Sequence, residues 1–362
     1  MRFGLNTFLV SSGFTGADLP LIETFEKYGA QLVELAIVEP TSVSVPELKA
    51  ALTASRLEQP VICGAFGPGR DLRGSSSEVT NATQYVSELI EMAHALGAKI
   101  VCGPMYSRTG RSGAHTAEER ESQLEQIASG LQKLCRKAQA AGIILALEPL
   151  NRFETDCINT LGQAVEMFDR VGSDALKIHI DTFHMNIEEA DSGVAIRQYA
   201  KHIGHVHASA SHRGLLGKDQ VDWTGVLGAL HDVGYEGDIV IESFSEDNQV
   251  IAKAALPTRQ GTHIQATKLI KHRQQRQANA RLRCRSDYTF RQLGQICIGH
   301  AANVMVQVME LGHASVSCLQ HLKENLRGNR FDLIRGQLVK ELVHQPPPRP
   351  ETVFRVGAAR FG

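Results

Sequence analysis

The chain has 362 residues, of which 43% are hydrophobic and 21% charged, with a formal net charge of −1. This is ample for a full buried core, and the absence of any run of about 18 apolar residues argues against a membrane-spanning helix. Seven cysteines (Cys63, Cys102, Cys135, Cys157, Cys284, Cys297 and Cys318) are odd in number and form no CxxC pair. They read as free thiols of a reducing compartment. The opening MRFGLNTFLVSSGF lacks the basic start and long apolar stretch of a secretory signal, so a cytoplasmic location is expected.

The near-zero net charge hides a division. Residues 256–362 hold 17 Lys+Arg against 6 Asp+Glu, a net of +11, and residues 1–255 carry a net of −12. Such a shift places a boundary near Leu256-Pro257.

In chain order, the first 255 residues alternate short apolar runs with amphipathic stretches. The runs are RFGLN (2–6), LVELAI (32–37), PVICGAF (60–66), KIVCGP (99–104), IILALE (143–148), LKIHID (176–181), IGHVHA (203–208) and DIVIES (238–243). Their length and Val/Ile/Leu content suit buried parallel strands. Between them, Tyr85, Leu89, Ile90 and Ala93 recur at helical spacing, as do Leu124, Ile127, Leu131 and Leu134. Gly29, Gly97, Gly142, Gly172 and Gly234 read as helix stops.

Eight such units in about 250 residues predict an α/β fold, a (β/α)8 TIM barrel. The alternative, a doubly wound open sheet, usually carries a glycine fingerprint after its first strand, and GLNTFLVSSGF has none. GPGRDLRG (67–74) lacks that spacing too and reads as a flexible loop after the third strand.

Barrel active sites lie at the C-terminal strand ends. The fifth to eighth runs end in Glu148, Asp181, His207 and Glu242. Singly, each has a plainer role: Asp181 as a helix N-cap, His207 as a core histidine. Four on consecutive strands are harder to assign to chance. Three carboxylates at one rim repel one another, and a divalent cation relieves that. Three oxygen donors and an imidazole suit Mn²⁺, Mg²⁺, Co²⁺ or, less selectively, Zn²⁺. Glu34 points near the same rim without an assigned role. Glu188 and Glu189 read as a solvated helix face, and Trp223 as packing for the helix before the last strand.

LEPLNRFETD, IDTFHMNIEEAD, GHVHAS with HRG, and IVIESF resemble the D-tagatose/D-psicose 3-epimerase group of ketose 3-epimerases. This group belongs to the xylose-isomerase-like sugar isomerase/epimerase barrels. The resemblance covers about residues 1–255, including CGAFGPGRDLRG and GPMYS. It implies one divalent ion, most often Mn²⁺, held by Glu148, Asp181, His207 and Glu242. It implies that Glu148 and Glu242 are also the acid/base pair, acting through an enediolate. It assigns substrate contacts to Glu154, His184 and Arg213, makes a small sugar the partner, and implies a homo-dimer or homo-tetramer. The alternatives are an aldose–ketose or hydroxypyruvate-type isomerase on the same barrel, a metal-dependent endonuclease-like hydrolase, and a chain that only binds. The hydrolase needs further ligands on the early strands, whose ends are Asn6, Ile37, Phe66 and Pro104.

The resemblance stops near Ala255. Residues 256–362 read as a basic extension, partly helical or disordered, from a shifted reading frame or a fusion. Its positive charge comes with few aromatic residues and no recognised motif, so nucleic acid is not the expected partner.

Overall fold

All eight apolar runs form strands, and each pairs in parallel with its sequence neighbours until β1 meets β8 and the barrel closes. The strands are β1 (Arg2–Asn6), β2 (Leu32–Ala36), β3 (Val61–Cys63), β4 (Ile100–Gly103), β5 (Ile144–Leu147), β6 (Leu176–Asp181), β7 (Ile203–Ala208) and β8 (Asp238–Ile241). This computed structural model describes residues 1–217 and 219–244. The extension 256–362, and the boundary before it, lie outside the described residues.

The helices are α1 (Pro20–Tyr28), α2 (Val45–Ala54), α3 (Ser76–Leu96), α4 (Ala117–Ala141), α5 (Leu161–Val171), α6 (Thr182–Glu188), α7 (Ser192–Gln198) and α8 (Trp223–Asp232). Their boundaries have local causes. Ser75, Thr116 and Thr160 start α3, α4 and α5 with reciprocal capping boxes to Glu78, Glu119 and Gln163. Gly29, Gly97, Gly142 and Gly172 end α1, α3, α4 and α5 in the left-handed conformation. The predicted apolar faces of α3 and α4 are the ones packed on the barrel: Tyr85, Leu89, Ile90, Ile127, Leu131 and Leu134 are buried. Trp223 is partly buried against the same core, and its indole donates to Asp219 at 2.9 Å.

Side chains alternate along the strands, giving two cores. Val33 and Leu35 face the helix layer with most of the apolar residues. Leu32, Val61, Cys63, Cys102, Ala146 and Val240 form a separate interior cluster. Two residues further along β5 and β8, the same inward faces reach Glu148 and Glu242. The register of β6 and β7 slips between Ile178 and His179, so that Gly204 is an extra residue on β7. The slip sets His205 level with His179 and His207 level with Asp181. At the seam, the Arg2 guanidinium spans both oxygens of Asp238, at 2.6 and 2.8 Å.

The loop 67–74 departs from the flexible reading. Asp71, Leu72 and Arg73 are buried. Arg73 donates to Ser107 and Gln123, each at 2.9 Å, and pairs with Asp156 at 2.6 Å. It therefore ties the loops after β3, β4 and β5 together. The four cysteines among the described residues are free and buried.

Where β3 and β4 leave the barrel, Gly103 has φ +123°, and a Cβ there would lie 2.0 Å from the Gly64 carbonyl oxygen. The Gly103 oxygen in turn accepts from the Glu148 amide at 3.1 Å. Gly103→Ala is expected to cost about 2–3 kcal/mol and to lower the unfolding midpoint by roughly 5–10 °C. Thermal unfolding followed by circular dichroism checks this, and an unchanged midpoint contradicts it.

Candidate active site and metal centre

The predicted rim residues converge. Glu148 and Glu242 are the first residues beyond β5 and β8, Asp181 is the last of β6, and His207 is the next-to-last of β7. One ligand atom from each of the four lies within 4.8 Å of all the others, and all four residues are buried. Nδ1 of His207 is 3.6 Å from a Glu242 oxygen and 3.9 Å from one of Asp181, too far for hydrogen bonds, and has no other partner. A nitrogen orphaned beside three carboxylates is a donor set that fits a hard divalent cation.

Asp181 has two roles at once. One oxygen caps α6 by accepting from the Phe183 amide at 2.6 Å, and the other faces the site. The N-cap reading and the ligand reading are therefore compatible.

Arg213 also comes to the rim. Its Nη1 donates to Asp181 at 2.8 Å, to Glu242 at 2.7 Å and to Ser209 at 2.9 Å. It has φ +55°, a conformation that a side-chain-bearing residue adopts at a cost. Local bonds hold it there: its amide donates to the Ala210 carbonyl, and its carbonyl accepts from Phe244 and Ser243. The guanidinium lies over the Phe183 ring at 4.0 Å and near that of Phe244 at 5.0 Å.

A polar chain leads outward from there. Nη2 of Arg213 is 3.1 Å from Nε2 of His184, whose Nδ1 accepts from the Asn151 amide at 3.0 Å. The Asn151 side chain donates to Glu154 at 2.8 Å. The three expected substrate contacts, Glu154, His184 and Arg213, are thus linked through Asn151, which the sequence reading did not single out. Glu188 and Glu189 are not a solvated face. Glu188 binds the Arg152 guanidinium and amide, and Glu189 accepts from the Leu161 amide at 2.8 Å.

Charge environments differ within the site. Burial first, then Asp181 and Glu242, push the Glu148 carboxyl well above its ordinary range. Burial pushes Asp181 the same way, but Arg213, His184 and His207 outweigh it and hold Asp181 below its usual value. For His207, burial opposes the charged form, and Glu34 and Glu242 reverse that.

One layer deeper lie groups that the sequence reading left without a role. The Glu34 side chain is fully enclosed and accepts from His205, His207 and Asn6, each at 2.6 Å. His179 packs edge-on to His207, with ring centroids 4.0 Å apart. The available signal was the two-residue period: Glu34, His179 and His205 each precede an inward rim position by two.

The sequence profile of the family described as Xylose isomerase-like TIM barrel matches residues 9–266. The chain belongs to this family. An L-ribulose 3-epimerase of Mesorhizobium japonicum is 32% identical over 247 residues, 68% of this chain and 82% of that protein. A D-psicose 3-epimerase of Ruminiclostridium cellulolyticum is 30% identical over 230 residues, 62% and 77% of the two chains. The crystal structure of a D-allulose 3-epimerase from Methylomonas sp., in complex with D-allulose, aligns with a TM-score of 0.65 at 25% identity, covering 70% of this chain and 94% of that one. With these relatives, this member of the xylose isomerase-like barrels is an isomerase-class enzyme, a sugar epimerase. No helix among its described residues is long and apolar enough to cross a membrane.

The raised Glu148 carboxyl has a consequence for stability. The metal-free native protein holds a proton that the unfolded chain has already released above the ordinary glutamate range. That stabilisation is complete below the ordinary value and lost as pH rises through the raised one. In chelator, the wild-type thermal midpoint should therefore fall relative to that of Glu148→Gln as pH rises above the ordinary glutamate range, and added Mn²⁺ should raise the wild-type midpoint. A wild-type midpoint that climbs relative to Glu148→Gln would contradict the sign.

Proposed function

We propose that this protein inverts the configuration of a ketose at C3, by removing the C3 proton to form an enediolate and returning a proton to the opposite face. The observation that carries the reading is the pair of glutamates, Glu148 and Glu242, flanking Asp181 and His207 at one buried rim. The relatives named ketose, psicose and ribulose 3-epimerases support it.

Glu148, Asp181, His207 and Glu242 would hold one divalent ion, with Mn²⁺ as the first expectation and Mg²⁺ or Co²⁺ as alternatives. Such an ion supplies electrostatic stabilisation of the negative charge that develops on the ketose oxygens as C3 is deprotonated.

The chain's own residues do the proton work. Inversion needs a carboxylate on one face of C3 and a carboxylic acid on the other. Strands β5 and β8 supply one each, and the sugar's starting configuration selects which of the two acts as base. Arg213, held beside Asp181 and Glu242, is placed to donate to a sugar hydroxyl. His184 and Glu154, linked through Asn151, extend that contact along the substrate. Phe244, whose ring centroid is 5.9 Å from that of Phe8 and 5.0 Å from the Arg213 guanidinium, would offer an apolar surface beside Arg213. The proposed setting is cytoplasmic, as a homo-dimer or homo-tetramer.

The test is a panel of ketopentoses and ketohexoses with Mn²⁺-loaded protein in D₂O, with products resolved by chromatography. C3 inversion with deuterium incorporated at C3 is expected. Glu148→Gln and Glu242→Gln should each lower kcat by about 10²–10⁴-fold. Interconversion of aldose and ketose with C3 untouched would replace this reading with the isomerase one.

A further inference from the structure

We propose that Glu34, one layer beneath the rim, is a positioning residue that fixes the ring of His207 so that its Nδ1 lone pair faces the metal. The inference rests on the metal reading of the rim set.

Glu34 lies on β2, opposite Asn6 of β1 in the barrel register. Its side chain is fully enclosed, as are those of His205 and His207. One oxygen receives His207 Nε2 and the Asn6 amide nitrogen, each at 2.6 Å. The other receives His205 Nε2 at 2.6 Å and lies 3.5 Å from Cys102 Sγ. The Asn6 amide nitrogen can only donate and the Cys102 thiol donates to the other oxygen, so the carboxylate accepts on both oxygens.

An ionised carboxylate has no proton to give, so His207 must donate from Nε2. A ring that binds a metal through Nδ1 is neutral and carries its single proton on Nε2, so the Glu34 contact leaves the Nδ1 lone pair for the metal. Nδ1 is the nitrogen that faces Asp181 and Glu242 and lacks any hydrogen-bond partner. The same contact fixes the ring's rotation, because Nε2 is tied to a group that is itself held by β1 and β7. A ligand histidine oriented by a carboxylate on its far nitrogen is a recurrent way to tune metal affinity.

A purely structural role for Glu34, as the counter-charge of an enclosed polar layer, predicts something different. Its removal would then change stability without changing the ring's proton or the metal affinity of the folded protein.

Full-length wild type, Glu34→Ala and Glu34→Gln would be stripped of metal and titrated with Mn²⁺ alone by calorimetry, with circular dichroism to confirm folding. Histidine ring ¹⁵N–¹H spectra of the metal-free proteins would report the hydrogen-bonded Nε2–H of His207. Glu34→Ala should weaken Mn²⁺ binding about 10–100-fold and abolish that signal. Glu34→Gln should recover part of the affinity, because its amide oxygen can replace the oxygen shared by Asn6 and His207. Wild-type Mn²⁺ affinity in folded Glu34→Ala, with the His207 signal unchanged, overturns the proposal. Should Glu34→Ala not fold, wild-type affinity in Glu34→Gln overturns it instead. A wild type that binds no Mn²⁺ sinks the metal reading, while the Nε2–H signal in metal-free protein still decides whether Glu34 sets the ring.

Discussion

Four carboxylates enclosed in one barrel are the constraint on which the site depends. Glu34, Glu148, Asp181 and Glu242 are all removed from water, and an enclosed charge is tolerated only when paired or neutralised. The chain meets this differently at each level. Deep in the barrel, two imidazoles and an amide surround Glu34. At the rim, Arg213 reaches Asp181 and Glu242, while Glu148 is pushed towards its neutral form. Nδ1 of His207 belongs to the rim level, and Nε2 to the deep one. That ring is the point where the two levels are coupled.

The scaffold holds these charges by close backbone approach more than by long side-chain reach. Gly103 lets β3 and β4 meet so tightly that no Cβ fits, and its carbonyl holds the residue that β5 delivers. Gly204 adds the residue that brings His205 level with His179 and His207 level with Asp181. Arg73 ties together the loops above, from inside a loop whose glycines alone suggest freedom. Arg213 itself stands in an unfavourable backbone conformation, held by Ala210, Ser243 and Phe244. Strain of this kind persists where surrounding contacts over-determine it.

The barrel was legible because its eight apolar runs are short, regular and separated by recognisable helix stops. The rim ligands were legible because each ends such a run. The layer beneath them was harder to read. Glu34 sits inside LVELA, where a charged residue in an apolar run looks like a solvated exception. His179 and His205 are inward only if the strand period is counted back from Asp181 and His207. The Glu188 and Glu189 contacts were illegible for another reason. Their partners, Arg152 and Leu161, lie 36 and 28 residues away, on segments whose approach only the closed barrel defines.

The choice between inversion and isomerisation turns on the second glutamate. Moving a proton between C1 and C2 on one face of an enediolate requires one base, which both takes and returns it. Inverting C3 requires two groups, because the face that loses the proton cannot be the face that regains it. A metal set with one glutamate and spectator carboxylates would therefore favour isomerisation. Here the two glutamates leave the barrel on β5 and β8, with β6 and β7 between them supplying Asp181 and His207. The proposed ion would thus sit among ligands of which two can exchange protons from separate strands. Under this reading the ligand set and the stereochemical outcome have one cause: the same pair of carboxylates that makes a cation necessary also makes inversion available.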